Sequence, residues 1–406
     1  MESVKVTKTI RVGLVGARFA ARFHLEGYRR VYGVPVQVVG VTSKGVESRE
    51  AFAREHGLDA YTTLDDLCGV ADVIDVCAPG ATHEPIAVEA LQRGKHVVIE
   101  KPLTGYFGPP TDHFEGNGFS KAVMLREAMA SAERVREAAR KAQRRICYAE
   151  NWVYAPAIQK EREILAKSGG QPLRIMGDES HSGSHSAYGG MWKYSGGGTL
   201  VTKGCHPLSA ALYLKRAEGE ARGGKAIRPA TVSARTHEIT RLKTFRDAGF
   251  LGTKYRDIED YCQIHVTFED GTVADIFSSN LVLGGVYSWL EVFANNHRTR
   301  CRLNPVGMLD TYNPREDLLK DVYVAEKLGS KQGWSHPAAD EDWQQGYPQE
   351  FQDFMESIAQ EREPLSGIDL ACDTVGVLYS AYLSAERRGC EVEIPGIADG
   401  RLSIAG

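Results

Sequence analysis

The chain has 406 residues, 42% of them hydrophobic, with a formal net charge of −4. That length is enough for two buried cores, and the slightly acidic balance removes the electrostatic case for a nucleic-acid or membrane-surface partner. No apolar run reaches the span of a bilayer. The opening "MESVKVTKTI" lacks the apolar centre of a signal peptide, and the eight cysteines show no C-x-x-C pairing. We therefore expect a cytoplasmic protein with buried thiols and no metal site.

The first 150 residues alternate. The apolar run "TIRVGLVG" precedes an amphipathic stretch to about residue 31, and "VPVQVVGVTS" precedes the helix-like "VESREAFAREHG" with Gly57 as its stop. A third run, "ADVIDVCAPG", leads into "HEPIAVEALQRG", and the fourth is "KHVVIEKPL". Short β-branched strands alternating with helices of this length predict right-handed βαβ units on a parallel sheet. The basic "RKAQRR" (140–145) ends a helical pattern and reads as a solvated face at the negative end of a helix dipole. Beyond residue 150 the pattern becomes strand-rich, with "YCQIHVTFEDGTVADIFSSN" carrying the Asp-Gly turn of an antiparallel hairpin. Helical periodicity returns at 348–360 and 369–388. The expected fold is α/β: an N-terminal doubly wound parallel sheet of Rossmann type (1–149), then an α+β domain (150–406) with a large, mostly antiparallel open sheet.

The turn after the first strand reads Gly16-Ala17-Arg18-Phe19-Ala20-Ala21, where a dinucleotide fingerprint would read G-x-G-x-x-G. It leaves a strand, opens a helix and begins a βαβ unit, which is the context the fingerprint requires. Gly16 supplies the tight turn, and the alanines are small enough for close approach of backbone and helix. Arg18 stands at the central-glycine place, where a guanidinium can meet a pyrophosphate directly.

Four further stretches resemble the Gfo/Idh/MocA oxidoreductases, the glucose–fructose oxidoreductase and inositol dehydrogenase superfamily. These are "CAPGATHEPIAVEALQRGKHVVIEKPL" (77–103), "ENWVYAP" (150–156), "GGGTLVTKGCHPLS" (196–209) and "DIEDYCQIHVTFEDGTVADI" (257–276). The resemblance implies a nicotinamide cofactor held by Gly16, Ala17, Arg18, Phe19, Ala20, Ser43, Lys44, Ala78, Pro79, His83, Glu100 and Lys101. It also implies a homodimer or homotetramer formed through the sheet of the second domain. Its chemistry is oxidation of a secondary alcohol, in which hydride leaves carbon while a proton leaves oxygen, so an acid/base group must touch the hydroxyl. Lys101, at the end of a buried strand, and His206, matching the family's histidine, are the candidates. Thr202 completes the catalytic set, but relatives carry aspartate there. A hydroxyl can only hydrogen-bond where a carboxylate would orient and charge its neighbours.

Cofactor choice turns on the end of the second strand, where NAD users place an acid on the ribose. Here "VTSKG" offers Ser43 and Lys44, so the balance between NAD and NADP tips slightly towards NADP. For the substrate, Trp152, Tyr154, His181, His185, Trp192 and Lys203 join Lys101 and His206. Aromatic planes with hydroxyl and imidazole donors suit a sugar or cyclitol ring. The reading is an NAD(P)-dependent dehydrogenase of a sugar, glycoside or inositol-like polyol. A redox-neutral glycosidase, epimerase or lyase working through a keto-sugar, and a non-catalytic nucleotide-sensing regulator, stay open as alternatives. Residues 104–124, inserted directly after Lys101-Pro102, are rich in glycine, proline and aromatic side chains, and we expect them to act as a lid or a cleft wall.

Overall fold

The computed structural model describes residues 8–109, 114–184, 189–304, 309–327, 330–395, 397–398 and 401–402. They fall into two compact units that interleave along the chain. The first takes the N-terminal stretch to Gly105, then 126–154 and 346–375; the second takes 106–125, 155–345 and the remainder. A single division at residue 149 misses this exchange. The reason is packing: the helix Tyr347–Ala359 returns to the first unit, where Phe351 lies against Gly27. A β-carbon on Gly27 would sit 2.1 Å from the Phe351 ring, so glycine is required for the approach.

The first unit is built on six parallel strands: β1 (Ile10–Val15), β2 (Val36–Thr42), β3 (Asp59–Ala60), β4 (Val73–Val76), β5 (His96–Glu100) and β6 (Ile146–Ala149). Their order is β3-β2-β1-β4-β5-β6. The sequence reading missed β3, which has only two residues and shows no pattern of its own. Every residue of β4 is buried, as expected for a strand covered on both faces. Helices α1 (Phe19–Arg29), α2 (Val46–His56), α3 (Leu64–Val70) and α4 (His83–Gln92) supply the crossovers, followed by the long α5 (Lys121–Ala142). Strand order reverses between β1 and β4, which is where open α/β sheets bind ligands, beyond the carboxyl ends of the strands.

The second unit carries β7 (Pro172–Ser180), β8 (Pro229–His237), β9 (Tyr261–Phe268), β10 (Val273–Ser279), β11 (Tyr287–Ala294) and β12 (Arg298–Arg302). A small separate hairpin pairs β13 (Thr311–Asn313) with β14 (Gly333–Ser335), and β15 (Val392–Glu393) closes the main sheet. The main order is β12-β11-β7-β10-β9-β8-β15, antiparallel except for the β7–β10 pair. The predicted Asp-Gly hairpin is present: Phe268 N–H bonds the Thr272 carbonyl across the turn between β9 and β10. The helix Cys205–Gly223 packs on β7, with Pro207 filling the space that Gly177 leaves open. Among the described residues, no helix is long and apolar enough to cross a membrane.

Candidate active site

The turn after β1 has the form a dinucleotide needs. Gly16 has φ +121°, and a β-carbon there would lie 2.6 Å from the Cys77 carbonyl oxygen, so only glycine fits. Its N–H bonds the Thr42 carbonyl, tying the turn to the end of β2. Helix α1 starts with no side-chain cap and no acid in its first turn. Its orphan N–H groups and positive dipole end are thus open to an anion. Arg18 is the N-cap residue and is exposed, as is Phe19, at 73%. Ala17 and Ala20 are half-buried. These residues fit a pyrophosphate. Ser43 and Lys44 follow β2 directly: Ser43 Oγ bonds the Gly45 carbonyl at 3.1 Å, and Lys44 is exposed.

Two strand ends face this turn from the same edge. After β4, Ala78 is half-buried and Pro79 exposed; after β5 comes Lys101, half-buried, joined to Pro102 by a cis bond. His83 clamps the two together. Its Nε2 faces the Ala78 carbonyl and its Nδ1 the Pro102 carbonyl, both at 2.9 Å. Burial holds its pKa below the ordinary histidine value, against the pull of those carbonyls. A neutral His83 donates its one N–H to one of these carbonyls while the other nitrogen faces the second, so its ring shapes the edge.

Behind Lys101 lies a buried network that the sequence reading missed. Glu100 Oε2 accepts the Lys101 main-chain N–H at 2.9 Å, and Glu100 Oε1 meets His24 Nε2 at 3.1 Å. The other ring nitrogen, Nδ1, lies 2.8 Å from Asp75 Oδ2, which also accepts the Tyr28 hydroxyl at 3.0 Å. Burial works against a charge on His24, but Asp75 outweighs it and holds the imidazole well above the ordinary histidine value. Burial likewise pushes Glu100 up, and the hydrogen bond and charge of His24 bring it below the usual carboxylate range. Glu350 stays high, through burial reinforced by neighbouring Glu100. His24, Asp75 and Cys77 place donor atoms within 4.8 Å of one another, a spacing a metal could use. An imidazolium between two carboxylates already accounts for the geometry. The available signals were an aspartate inside the apolar run "VIDV" and a histidine on the buried face of α1.

In the second unit the triple glycine is explained atom by atom. Gly196 and Gly197 have φ of +74° and +159°. A β-carbon on Gly197 would lie 2.3 Å from the Tyr382 hydroxyl, and one on Gly198 would lie 2.3 Å from Glu259. The chain then makes a π-turn over Leu200–Gly204, of the kind that recurs at functional sites, and runs into the helix Cys205–Gly223. Thr202 donates its hydroxyl to the Gly198 carbonyl at 2.9 Å. Lys203 is buried and donates to Asn280 Oδ1, and His206 is buried one turn further on.

Several expected substrate contacts are core residues instead. Tyr154, 2% exposed, donates to Asp353 at 2.8 Å and accepts from Ser366 N–H at 2.9 Å, inside the first unit. Trp152 is buried in the same unit. Trp192, 1% exposed, donates its indole N–H to the Tyr106 carbonyl and packs against the Tyr382 ring at a tilt of 54°. Their bulk stabilises the units, and their faces are covered. His181 is half-buried, its Nδ1 accepting the Gly183 N–H. His185 lies outside the described residues, as do 110–113 of the 104–124 insertion. The described part of that insertion packs into the second unit from residue 106. Phe114 is buried against Tyr106 and Phe119, Gly116 N–H bonds Asp257, and Lys121 Nζ reaches the carbonyls of Gly116, Asn117 and Phe119. It is a packed wall of that unit.

A six-stranded parallel sheet in this order, with an uncapped helix and an obligatory glycine at its switch point, defines a dinucleotide-binding protein. The profile described as "Oxidoreductase family, NAD-binding Rossmann fold" matches residues 10–109. UDP-N-acetylglucosamine 3-dehydrogenase of Acidithiobacillus ferrooxidans is 32% identical over 95 residues, 23% of this chain and 29% of that protein. A scyllo-inositol 2-dehydrogenase (NAD(+)) of Bacillus subtilis is 27% identical over 215 residues, 52% and 55% of the two chains. The crystal structure of GenD2 from gentamicin A biosynthesis, in complex with NAD, covers 96% of this chain and 98% of that one with a TM-score of 0.75 at 23% identity, a likeness of fold. Residues 10–109 therefore match the NAD-binding Rossmann domain of the Gfo/Idh/MocA oxidoreductases. The aligned segments span from less than a third to about half of those curated relatives' lengths.

Proposed function

We propose that the protein transfers a hydride between a nicotinamide cofactor and a secondary hydroxyl of a sugar, glycoside or inositol-like polyol. One observation carries this reading: the nucleotide cradle and Lys101 share the carboxyl edge of one sheet. Gly16 follows β1 and Lys101 follows β5, with β4 between them, so the two lie about 10 Å apart across the strands. The cradle residues would hold the pyrophosphate, and the nicotinamide, when bound, is the hydride acceptor or donor. Lys101 then polarises the substrate hydroxyl and takes part in moving its proton, its main chain fixed by Glu100. His206, which follows the π-turn of the second unit, is the other candidate that the family resemblance offers for proton handling. Thr202 holds the turn from which His206 follows.

The relatives named as sugar and inositol dehydrogenases support the substrate class. Ser43 and Lys44 after β2 support a preference for NADP, since an ammonium suits a 2′-phosphate and no acid precedes Glu47. A panel of sugars and inositols with both cofactors, followed by absorbance at 340 nm, tests the reading. Reduced cofactor accumulating with one polyol class is the expected result. Turnover without accumulation would favour redox-neutral chemistry, and no turnover or binding of any polyol would overturn the assignment.

A further inference from the structure

The carboxyl of Glu259 is buried in the second unit, directly beneath the glycine turn. Its Oε2 accepts the Gly198 N–H at 3.1 Å, and its Oε1 accepts the Leu200 N–H at 3.0 Å and the Tyr382 hydroxyl at 2.8 Å. The Gly198 N–H also reaches the Tyr382 oxygen at 3.0 Å. The carbonyl of the same Gly198 receives both the N–H and the hydroxyl of Thr202. One residue, Gly198, is thus held at its N–H by Glu259 and at its carbonyl by Thr202. The helix bearing His206 grows from it.

We propose that Glu259 is a positioning residue: its carboxyl sets the Gly198–Leu200 turn and, through it, Thr202 and His206. The proposal rests on the hydride-transfer reading for its catalytic consequence, and on geometry alone for its structural one. The glycine at 198 is required because the carboxyl occupies the place of its side chain. Tyr382 locks the acid from the helix Ile368–Glu386, and its neighbour Tyr379 donates to the Gly196 carbonyl at 2.8 Å, holding the start of the same turn. The charged and titratable groups that act on Glu259 are Tyr382 and Tyr379 from that helix, Lys121 at the start of α5 and Cys262 on β9. Burial outweighs the three donors and pushes the carboxyl up to about 7. The turn therefore changes charge near neutral pH, and the grip on the two N–H groups is tightest above that point.

Glu259→Gln is the test, because its amide presents N–H groups where the backbone already donates. Two readouts are needed. In the protein labelled with [15N]leucine, with Leu200 assigned by Leu200→Ile, the Leu200 amide should titrate with a midpoint near 7. That titration should vanish in Glu259→Gln. In the [15N]histidine-labelled protein, with His206 assigned by His206→Asn, the His206 ring resonances should move in Glu259→Gln, reporting displacement of the start of its helix. In turnover, Glu259→Gln should lose roughly 10–100-fold in kcat with the cofactor KM unchanged, the cost of misplacing a catalytic group. Tyr382→Phe keeps the acid and removes a donor to it, so the Leu200 midpoint should rise. Should Glu259→Gln fail to fold by circular dichroism, the Tyr382→Phe shift alone decides. A Leu200 amide that does not titrate, or a His206 ring and kcat indifferent to Glu259→Gln, would overturn the proposal. If the wild type turns over no polyol, the hydride reading fails while the two spectroscopic readouts still decide the role of Glu259.

Discussion

Replacing His24 with alanine removes the buried cation that both Asp75 and Glu100 face. Burial pushes the cluster's other acid, Glu350, well above the usual carboxylate range. Breaking a buried pair from one side costs about 3–5 kcal/mol, because the partner charge stays desolvated. For a unit of 150–250 residues each kcal/mol moves the midpoint by roughly 2–4 °C, so the first unit should melt about 6–20 °C lower near pH 7. The sign with pH follows from the shifts. A histidine raised in the folded state contributes stability that is full below its unfolded pKa and lost as pH rises through the folded one. The wild type should lose this advantage on the alkaline side. In the variant, Glu100 loses the hydrogen bond and charge that hold its carboxyl down, so the deficit should also shrink as pH falls into the acid range. The gap between wild type and variant is widest in between. Thermal unfolding followed by circular dichroism at about pH 5, 7 and 9 measures it. A deficit below about 1 kcal/mol at pH 7, or one equal at all three values, would refute the charged-histidine account.

Lys101→Ala should cost ~10²–10⁴-fold in turnover, the usual contribution of an acid/base group, with cofactor affinity nearly intact by fluorescence titration. Activity within a few-fold of wild type would remove Lys101 from the chemistry. Gly16→Ala places a β-carbon 2.6 Å from the Cys77 carbonyl at φ +121°, and should cost about 1–3 kcal/mol and at least ~10-fold in cofactor affinity; unchanged calorimetric binding would contradict the cradle. Lys44→Asp should move preference towards NAD, read as the ratio of kcat/KM for the two cofactors, and an unchanged ratio would remove Lys44 from the ribose site. Phe114→Ala should lower the stability of the second unit by about 3–5 kcal/mol in urea unfolding, since Phe114 is buried among Tyr106 and Phe119. A freely opening lid would lose almost nothing.

Periodicity and turn chemistry are local, and the sequence alone therefore determined the Rossmann half. The runs at β1, β2, β4 and β5, the glycine turn after β1 and the lysine ending "VIEK" all declare themselves within a few residues of chain. The strand-rich second half and its Asp-Gly hairpin were legible for the same reason. Tertiary structure alone decided what depends on distant residues meeting. Phe351 finds Gly27 across more than 300 residues and draws a C-terminal helix into the first unit. Trp152, Tyr154 and Trp192 have the composition of a sugar platform, but burial makes them core, because an aromatic face can serve a ligand only while it is uncovered. For the segment after Pro102 the sequence offers a lid or a cleft wall, and only the fold shows Asp257 holding the Gly116 N–H. His24 and Glu259 stayed silent in sequence because neither forms a motif with its neighbours: one acquires its charge from carboxylates on two other strands, the other its place from a glycine sixty-one positions earlier. A buried charge is stable only with its partners around it, and those partners are a property of the fold.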